Sequence, residues 1–264
     1  MGRGDVGRLL DAIVLAAGYA TRLYPLTLTV AKPLLPVGGR PMLDWILGRI
    51  GELDDLGTVH VVTNSKFAAD FGHWAEGKQR VQVHDDGTTS EHDRRGAIGD
   101  VQFVVDRTGR GEDGLLVVAG DNLFDFSLAD YGSYWRAKGG SCVAVHDVGD
   151  RELAKKYGIV DVDDDDRITN FVEKPADPPT TLCATATYLY RREHAALVAT
   201  YLHEGNPPDQ PGNFVAWLHV RAPVYAYRFP GEWYDIGDHA QLLEADNRMR
   251  RRSGLSERTE YSPS

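Results

Sequence analysis

Short apolar runs recur along the first half of the chain, and glycine or polar residues separate them. The runs are Ala12–Ala16, Val59–Thr63, Arg80–Val83, Leu115–Ala119 and Cys142–His146. Apolar runs of about four to eight residues between turn signals are typical of buried β-strands. We therefore predict a strand at each of these runs.

Helical periodicity occupies several of the intervals between the runs. In Pro41–Ile50, apolar residues stand at positions 42, 43, 46, 47 and 50, which places them on one helical face. Further helices are predicted over Ser65–Trp74, Gly96–Val105 and Leu128–Ala137, with Ser65 and Ser127 as caps. This alternation predicts an α/β fold with a mixed, mostly parallel sheet and helices on both faces.

The pattern changes after about residue 147. A hairpin is predicted around the acidic turn 163–166. The predicted strands are Tyr157–Val162, Arg167–Glu173, Ala184–Tyr190 and Val224–Phe229, and the predicted helices are Glu193–Leu202, Val215–Val220 and His239–Met249. Asn206–Gly212 is predicted to be a loop. We expect one domain over residues 1–250, with halves 1–147 and 148–250. Residues 251–264 lack apolar periodicity and predict a disordered tail.

Composition narrows the class of protein. The 264 residues are 42% hydrophobic and 26% charged, as in ordinary globular proteins. A formal net charge of −10 disfavours binding to nucleic-acid polymers and anionic membranes, and no apolar run approaches the roughly 20 residues that span a bilayer. Cys142 and Cys183 are too few for a disulfide framework, and the first eight residues lack the apolar core of a secretory signal. We therefore expect a cytoplasmic protein.

Residues 13–37 contain the first candidate site. A strand runs into the small residues Ala16, Ala17 and Gly18, and a proline-rich loop then carries Arg22 and Lys32. Small residues after a strand let backbone N–H groups approach an anion, and two nearby cations can neutralise a polyphosphate. A solvated surface loop is the alternative. We interpret the segment as half of a nucleoside triphosphate site.

Two aspartates follow apolar segments elsewhere in the chain. Asp121 comes after Leu115–Ala119 and a glycine, at the strand end where open α/β sheets bind ligands. A carboxylate there suits Mg²⁺, which takes one or two carboxylates together with phosphate oxygens. A turn-capping role is the alternative for Asp121. Asp235 lies in a segment that can also be an ordinary turn, with Asp238 capping the next helix.

The first candidate segment resembles a known signature. It reads Gly18-Tyr19-Ala20-Thr21-Arg22-Leu23, Pro25, Thr27, Lys32-Pro33 and Leu35-Pro36-Val37. This is similar to the Gly-x-Gly-Thr-Arg-Leu, Lys-Pro and Leu-x-Pro-Val pattern of the sugar-1-phosphate nucleotidylyltransferases, such as glucose-1-phosphate thymidylyltransferases and uridylyltransferases. Ala20 stands where that family has its second glycine. The resemblance implies a Rossmann-like nucleotide-diphospho-sugar transferase fold with a nucleotide-binding half and a sugar-phosphate-binding half.

The resemblance also implies roles for individual residues. Arg22 and Lys32 would grip the triphosphate as catalytic residues, and Asp121 and Asp235 would hold Mg²⁺. The nucleotide would bind Ala16, Ala17, Gly18, Thr21, Arg22, Thr88, Gly96, Ala97 and Asp121, and the sugar phosphate would bind Gly158, Glu173, Lys174 and Thr185. The substrates would be a nucleoside triphosphate and a sugar 1-phosphate. Because the attacking phosphate oxygen is already ionised, no general base is required.

Departures from the family pattern leave the substrates open. Ala186 stands where glycine is common, and residues 86–100 do not match the usual base-binding Gln-x-x-Pro-x-Gly-x-Ala segment. Glucose 1-phosphate with dTTP or UTP is the first expectation. The alternatives are CTP, GTP or ATP with a cyclitol phosphate, phosphocholine or a phosphonate, or a non-catalytic regulatory subunit of the same fold. Many relatives form dimers or tetramers, so a homo-oligomer is also open.

Overall fold

The computed structural model describes residues 10–109 and 111–263. Residues 1–9 of the predicted domain, on which the expectation about a secretory signal is based, lie outside the described residues. Within them, a nine-stranded sheet and two small ribbons organise the chain. The strands are β1 (Leu10–Leu15), β2 (Pro36–Val37), β3 (Arg40–Pro41), β4 (Leu56–Thr63), β5 (Val81–Asp85), β6 (Gly114–Ala119), β7 (Asn122–Phe124), β8 (Ser141–Asp147), β9 (Gly158–Val162), β10 (Ile168–Glu173), β11 (Leu182–Arg191), β12 (Val224–Arg228) and β13 (Trp233–Asp235).

The main sheet is mixed but mostly parallel. Its order is β10-β9-β11-β6-β1-β4-β5, with β8 on β11 and β12 on β8. β1 pairs in parallel with β4 and β6, and β4 with β5, whereas β11 runs antiparallel to β6, β8 and β9. Since β10 opposes β9 and β12 follows β8, only β10 and β11 run against the common direction. The predicted fold class is confirmed.

Helices cover both faces of this sheet. They are α1 (Met42–Ile50), α2 (Ala68–Ala75), α3 (Ala97–Thr108), α4 (Leu128–Lys138), α5 (Arg151–Ala154), α6 (Arg192–Ala195), α7 (Leu197–His203), α8 (Pro211–Leu218) and α9 (His239–Arg252). Ser127 accepts a hydrogen bond from the amide of Asp130 and Asp238 from that of Gln241, so both predicted caps are confirmed. In the part of the chain that the structure describes, no helix has the length and apolar character needed to cross a bilayer.

Two apolar clusters fill the space between the sheet and the helices. Alternate residues of one strand belong to different clusters: Val14 packs in the cluster with Trp135, whereas its neighbour Ile13 packs in the cluster with Phe214. This alternation is expected for strands buried on both faces, and it explains why the strands read as continuous apolar runs. Both cysteines are buried and unpaired.

Two helix starts differ from the predictions. Helix α2 begins at Ala68 and not at the predicted cap Ser65, whose amide donates to the carbonyl of Thr88. Helix α8 begins at Pro211, inside the predicted loop Asn206–Gly212, and the helix predicted over Val215–Val220 is therefore longer at its start. Proline lacks only an amide that the first helical turn leaves unbonded, so it can begin a helix as readily as it can occupy a loop.

The prediction of a disordered tail over residues 251–264 is wrong for the residues that the structure describes. Helix α9 extends to Arg252, and the side chain of Asn247 bonds both the amide and the carbonyl of Arg258 at 2.7 Å. The Tyr261 hydroxyl then donates to the carbonyl of Pro36 at 2.9 Å, and its ring packs against a core cluster. A single aromatic anchor has no periodicity, which is why the pattern did not indicate it.

Removing this anchor should reduce stability. We expect Tyr261→Phe to lower the free energy of unfolding by about 1 kcal/mol, because the hydrogen bond to Pro36 is lost. Tyr261→Ala should lower it by about 2 kcal/mol, since half-buried apolar area is also lost. Urea unfolding measures both changes, and Tyr24→Phe, at a ring that is 42% exposed, serves as the matched control. Wild-type stability in Tyr261→Ala would contradict the packed C-terminal segment.

Candidate functional site

A cleft of about 350 Å³ lies beyond the carboxyl ends of β1 and β6. Open α/β sheets bind ligands at this edge. The lining residues are Leu15, Ala16, Gly18, Ala20, Arg22, Leu23, Lys32, Pro33, Ala97, Ala119, Asp121, Ala186, Gln210, Pro211, Asp235 and Gly237. Gly18, Arg22 and Lys32 of the first signature therefore share one cavity with Asp121 and Asp235, which lie far along the chain.

The loop after β1 forms one side of the cleft, and its backbone is held in place. Asn64 donates through its side-chain amide to the carbonyl of Ala17 at 2.8 Å, and the Thr27 hydroxyl donates to the carbonyl of Ala20 at 2.8 Å. Short 3₁₀ turns over Thr21–Leu23 and Lys32–Leu34 place the two cations. Arg22 is exposed in the cleft, so it is available to an anionic ligand.

Two alanines of the cleft have left-handed backbone conformations. Ala20 has φ = 48° and Ala186 has φ = 51°. These are the two positions where the family pattern has glycine. The left-handed conformation brings Cβ close to the following carbonyl oxygen and costs an L-residue about 1–2 kcal/mol. The backbone thus keeps the conformation that glycine adopts freely, and the two methyl groups line the cavity.

Replacing these alanines should stabilise the fold. We expect Ala186→Gly to raise the free energy of unfolding by about 0.5–1 kcal/mol, because relief of about 1–2 kcal/mol of strain exceeds the added entropy of the unfolded chain. Ala20→Gly should behave alike. Ala69→Gly, at an exposed position of α2, is the control and should lower the same quantity by about 1 kcal/mol. A loss of stability in Ala186→Gly under urea would contradict the strain.

The two candidate metal ligands converge through a small β-ribbon. Strand β13 pairs antiparallel with β7, and the register places Asp235 opposite Asn122, the residue next to Asp121. Lys32, which is 7% exposed, donates from Nζ to Asp121 Oδ2 at 2.7 Å. Burial and the nearby Asp121 carboxylate raise the pKa of Asp235 to about 6, against the opposite effect of Lys32, Arg22 and Lys174.

Gly120, the residue before Asp121, has a steric reason to be glycine. Its amide donates to the carbonyl of Leu15 at 2.9 Å, and an added Cβ would lie 2.8 Å from that oxygen. Strands β1 and β6 therefore approach closely where the loop after β1 begins. This contact brings the carboxylate of Asp121 to the same edge of the sheet as Lys32.

Glu173 and Lys174 lie behind the cleft residues Gln210 and Pro211 and do not line the cavity themselves. Lys174 Nζ donates to Gln210 Oε1 at 2.9 Å, and its amide donates to the carbonyl of Tyr157 at 3.0 Å. Glu173 packs between two glycines: an added Cβ at Gly158 would lie 2.9 Å from its Oε2, and one at Gly212 would overlap that oxygen. Burial raises the pKa of Glu173, and Lys174 opposes this.

The structure turns two candidate hydroxyl groups away from the cavity. Thr185 is fully buried and its hydroxyl donates to the carbonyl of Ala144 at 3.0 Å. Thr88 is 5% exposed, and its amide and hydroxyl both donate to Asp86 Oδ1 at 2.7 Å. Ala186, the residue after Thr185, lines the cavity instead, and so does Ala97 at the start of α3. The binding roles of Thr185, Thr88, Gly158 and Gly96 stay predictions.

Gln210 and Pro211 are cleft residues that the sequence did not indicate. They precede and begin α8, which was placed too late along the chain. A glutamine before a proline matches no motif, and its contact with Lys174 depends on how α8 packs against β10. Only the combination of a polar residue with a proline at a helix start offered a weak signal.

The carboxylate pair suits a divalent cation in part. No group of three or more His, Cys, Asp or Glu in residues 10–109 and 111–263 is arranged to hold a metal ion. Mg²⁺ needs only one or two carboxylates when phosphate oxygens and water complete its shell. Burial raises the pKa of Asp235, and repulsion from the nearby Asp121 carboxylate raises it further. A divalent cation would relieve this repulsion, so the two residues are compatible with the predicted ion.

Comparison with known proteins identifies the family. The nucleotidyl transferase family matches residues 11–252. The chain belongs to this family. It is 28% identical over 241 residues to UTP–glucose-1-phosphate uridylyltransferase from Synechocystis sp., covering 86% of this chain and 60% of that protein. It is 27% identical over 238 residues to the bifunctional protein GlmU of Methanocaldococcus jannaschii, covering 90% of this chain and 53% of that protein.

These matches confirm the resemblance drawn from the motifs, and the chain spans 53–60% of the length of these two relatives. Among solved structures, UDP-glucose pyrophosphorylase complexed with UDP-glucose superposes with a TM-score of 0.77 at 19% identity. That alignment covers 92% of this chain and 99% of the solved chain. At this identity the likeness shows a shared fold.

Proposed function

We propose that the protein transfers a nucleotidyl group from a nucleoside triphosphate to a sugar 1-phosphate, giving a nucleoside diphosphate sugar and pyrophosphate. The observation that carries the proposal is the convergence of Arg22, Lys32, Asp121 and Asp235 in one cleft, with Lys174 bonded to the lining residue Gln210. Family membership and the names of the relatives support the same reaction class.

The proposed chemistry needs positioning and charge neutralisation. An ionised oxygen of the acceptor phosphate attacks the α-phosphorus, the bond from that phosphorus to the bridging oxygen breaks, and pyrophosphate leaves with the electron pair. Arg22 and Lys32 would neutralise the triphosphate, and Lys174 would hold the acceptor phosphate. No proton has to be removed, which agrees with the absence of histidine among the described residues that line the cleft.

Asp121 and Asp235 would hold Mg²⁺ in the working enzyme. Bound there, the ion would neutralise phosphate charge and orient the phosphate oxygens. Lys32 already offsets the charge of Asp121 through its 2.7 Å contact, so this side chain keeps the carboxylate in place before substrates bind.

The two unpaired cysteines support a cytoplasmic location for such an enzyme.

For the substrates, we propose glucose 1-phosphate with dTTP or UTP as the first candidates, in line with the Synechocystis relative. One observation favours the second candidate, in which another nucleotide reacts with a cyclitol phosphate, phosphocholine or a phosphonate. Glu173, the expected ligand of sugar hydroxyls, packs against Gly158 and Gly212, outside the set of residues that line the cleft. A regulatory subunit is the weaker alternative, because every predicted charged residue is retained.

The test is a matrix of nucleoside triphosphates against phosphate acceptors, read as pyrophosphate release. dTTP, UTP, CTP, GTP and ATP are each paired with glucose 1-phosphate, inositol phosphate, phosphocholine and a phosphonate, with Asp235→Asn protein as the background. We expect release with one nucleotide, its loss with a chelator and its return with Mg²⁺. Nucleotide-dependent thermal stabilisation without release for any pair would replace the proposal by the regulatory alternative. Pyrophosphate release that persists after full chelation would exclude Mg²⁺ from the proposed reaction.

A further inference from the structure

Two carboxyl groups are buried near the start of α3, whose first residue, Ala97, lines the cleft. Asp86 follows β5 and is 1% exposed, and Asp100 lies in the first turn of α3 and is 5% exposed. The two side chains are neighbours, because Asp86 is the group that acts most strongly on the pKa of Asp100 after burial. Asp86 Oδ2 and Asp100 Oδ1 are both fully buried, and no N–H or O–H of the described chain donates to either. Two acceptors face each other without a donor.

A proton must therefore lie between them. Two ionised carboxylates at contact in a buried site would repel each other and would both lose hydration. Burial, the Asp86 charge and the hydrogen bond to Asp86 raise the pKa of Asp100 to about 8, and Arg95 partly opposes this. At neutral pH the pair thus carries one proton and one negative charge.

The pair connects two segments on the cleft side. Asp86 Oδ1 accepts from the amide and hydroxyl of Thr88, and the Asp86 carbonyl accepts from Arg95 Nε at 2.8 Å. On the helix side, the Asp100 amide donates to the carbonyl of Gly96 at 2.8 Å. Segment 86–96 is therefore bonded to the Asp86 carboxyl at its start, and at its end to the backbone groups of Asp86 and Asp100.

The next residue along the chain, Ala97, lines the cleft. The Cα of Gly96 packs against Pro208, because an added Cβ would lie 2.7 Å from the Pro208 carbonyl. The Ile98 amide donates to that same carbonyl at 2.8 Å. A shift at the start of α3 would therefore move both Ala97 and the segment that leads to Gln210.

We propose that Asp86 and Asp100 share one proton and that this carboxyl bridge positions the start of α3 for nucleotide binding. The proposal rests on the function proposed for the cleft. Both are positioning residues, since neither lines the cavity. The bridge needs no ligand of its own. The shared proton links the carboxyl group after β5 to the carboxyl group in the first turn of α3.

Three variants test the positioning role. Asp100→Asn keeps a donor for Asp86 and cannot ionise, Asp100→Ala removes the bridge, and Asp106→Asn changes an exposed carboxylate on the same helix as the control. The measurement is KM for the nucleotide and kcat between about pH 6 and about pH 9. We expect wild-type KM to rise about tenfold above pH 8, where the pair loses its proton. Asp100→Asn should show no such rise, and Asp106→Asn should follow the wild type.

Asp100→Ala should raise KM about tenfold at every pH with kcat within about threefold, since the reacting groups are elsewhere. A flat wild-type KM profile, or normal nucleotide KM in Asp100→Ala, would overturn the positioning role. If Asp100→Ala does not fold, the comparison of the wild type with Asp100→Asn decides alone, because their profiles must differ above pH 8.

A second measurement does not depend on activity. In infrared difference spectra, a protonated carboxyl should be present in the wild type and Asp106→Asn at neutral pH, lost above pH 8 and absent in Asp100→Asn. An unchanged band in Asp100→Asn would overturn the shared proton. The equilibrium constants of unfolding give a parallel check. The ratio of this constant in the wild type to that in Asp100→Asn should change by up to tenfold per pH unit between about pH 5 and pH 8. If no nucleotide supports turnover but the band behaves as expected, the proposed function fails and the bridge stands.

Discussion

Asp235→Asn is expected to lower kcat by about 10²- to 10³-fold without unfolding the protein. The carboxylate lies beside Asp121 on the β7–β13 ribbon, where an asparagine has the same shape but lacks the charge that would bind a cation. Burial and the Asp121 carboxylate raise the pKa of Asp235 to about 6, so the side chain is mostly ionised at neutral pH and its charge costs stability in the fold. The asparagine should therefore not lower the free energy of unfolding.

Pyrophosphate release and urea unfolding measure the two effects separately. Asp121→Asn should give a similar loss of turnover, and in both variants the Mg²⁺ concentration for half-maximal rate should rise. Asp164→Asn, at the exposed tip of the β9–β10 hairpin, is the matched control and should keep wild-type rates. Wild-type turnover in Asp235→Asn would remove this residue from the proposed site.

Lys32→Ala is expected to lower kcat/KM by about 10²- to 10³-fold, since the amine is the buried cation nearest to the carboxylate pair. It should also destabilise the fold by about 1–3 kcal/mol, because Asp121 and Asp235 lose their closest positive charge. Turnover and urea unfolding are again the measurements. Lys156→Ala, at an exposed lysine, is the control.

A double variant separates the structural part of the Lys32 effect from the catalytic part. Lys32→Ala combined with Asp121→Asn removes both partners of the 2.7 Å ion pair, so stability should recover relative to Lys32→Ala alone while activity stays lost. If stability does not recover, the two side chains are not coupled as the structure indicates. If activity returns, the catalytic role of Lys32 is wrong.

Local features of the chain were predicted well where one residue or run decides them. The apolar runs became β1, β4, β5, β6 and β8, with ends shifted by at most three residues. Ser127 and Asp238 cap their helices because a side-chain oxygen and an amide within three residues are enough to form a cap. The start of α8 was missed because Pro211 and Gly212 are as common in loops as at helix starts.

Side-chain direction was the weaker part of the site prediction. Ala16, Gly18, Arg22, Lys32, Ala97, Asp121 and Asp235 face the cleft, whereas the hydroxyls of Thr88 and Thr185 bond inside the protein. Two consecutive strand residues point to opposite faces, and an irregular register of β11 against β8 near Ala186 changes which residue faces the cavity. Motif matching assigns a position to a site but does not assign the face.

The sequence by itself determined the strands of the main sheet, the main helices and the family, because each depends on neighbouring residues or on a short ordered motif. The tertiary structure alone decided which distant charges meet. Asp121 and Asp235 are adjacent only because β13 pairs with β7, and Asp86 and Asp100 share a buried site only because α3 packs at the end of β5. Burial and proximity set the charge state of such groups, and both come from long-range packing that no local pattern contains.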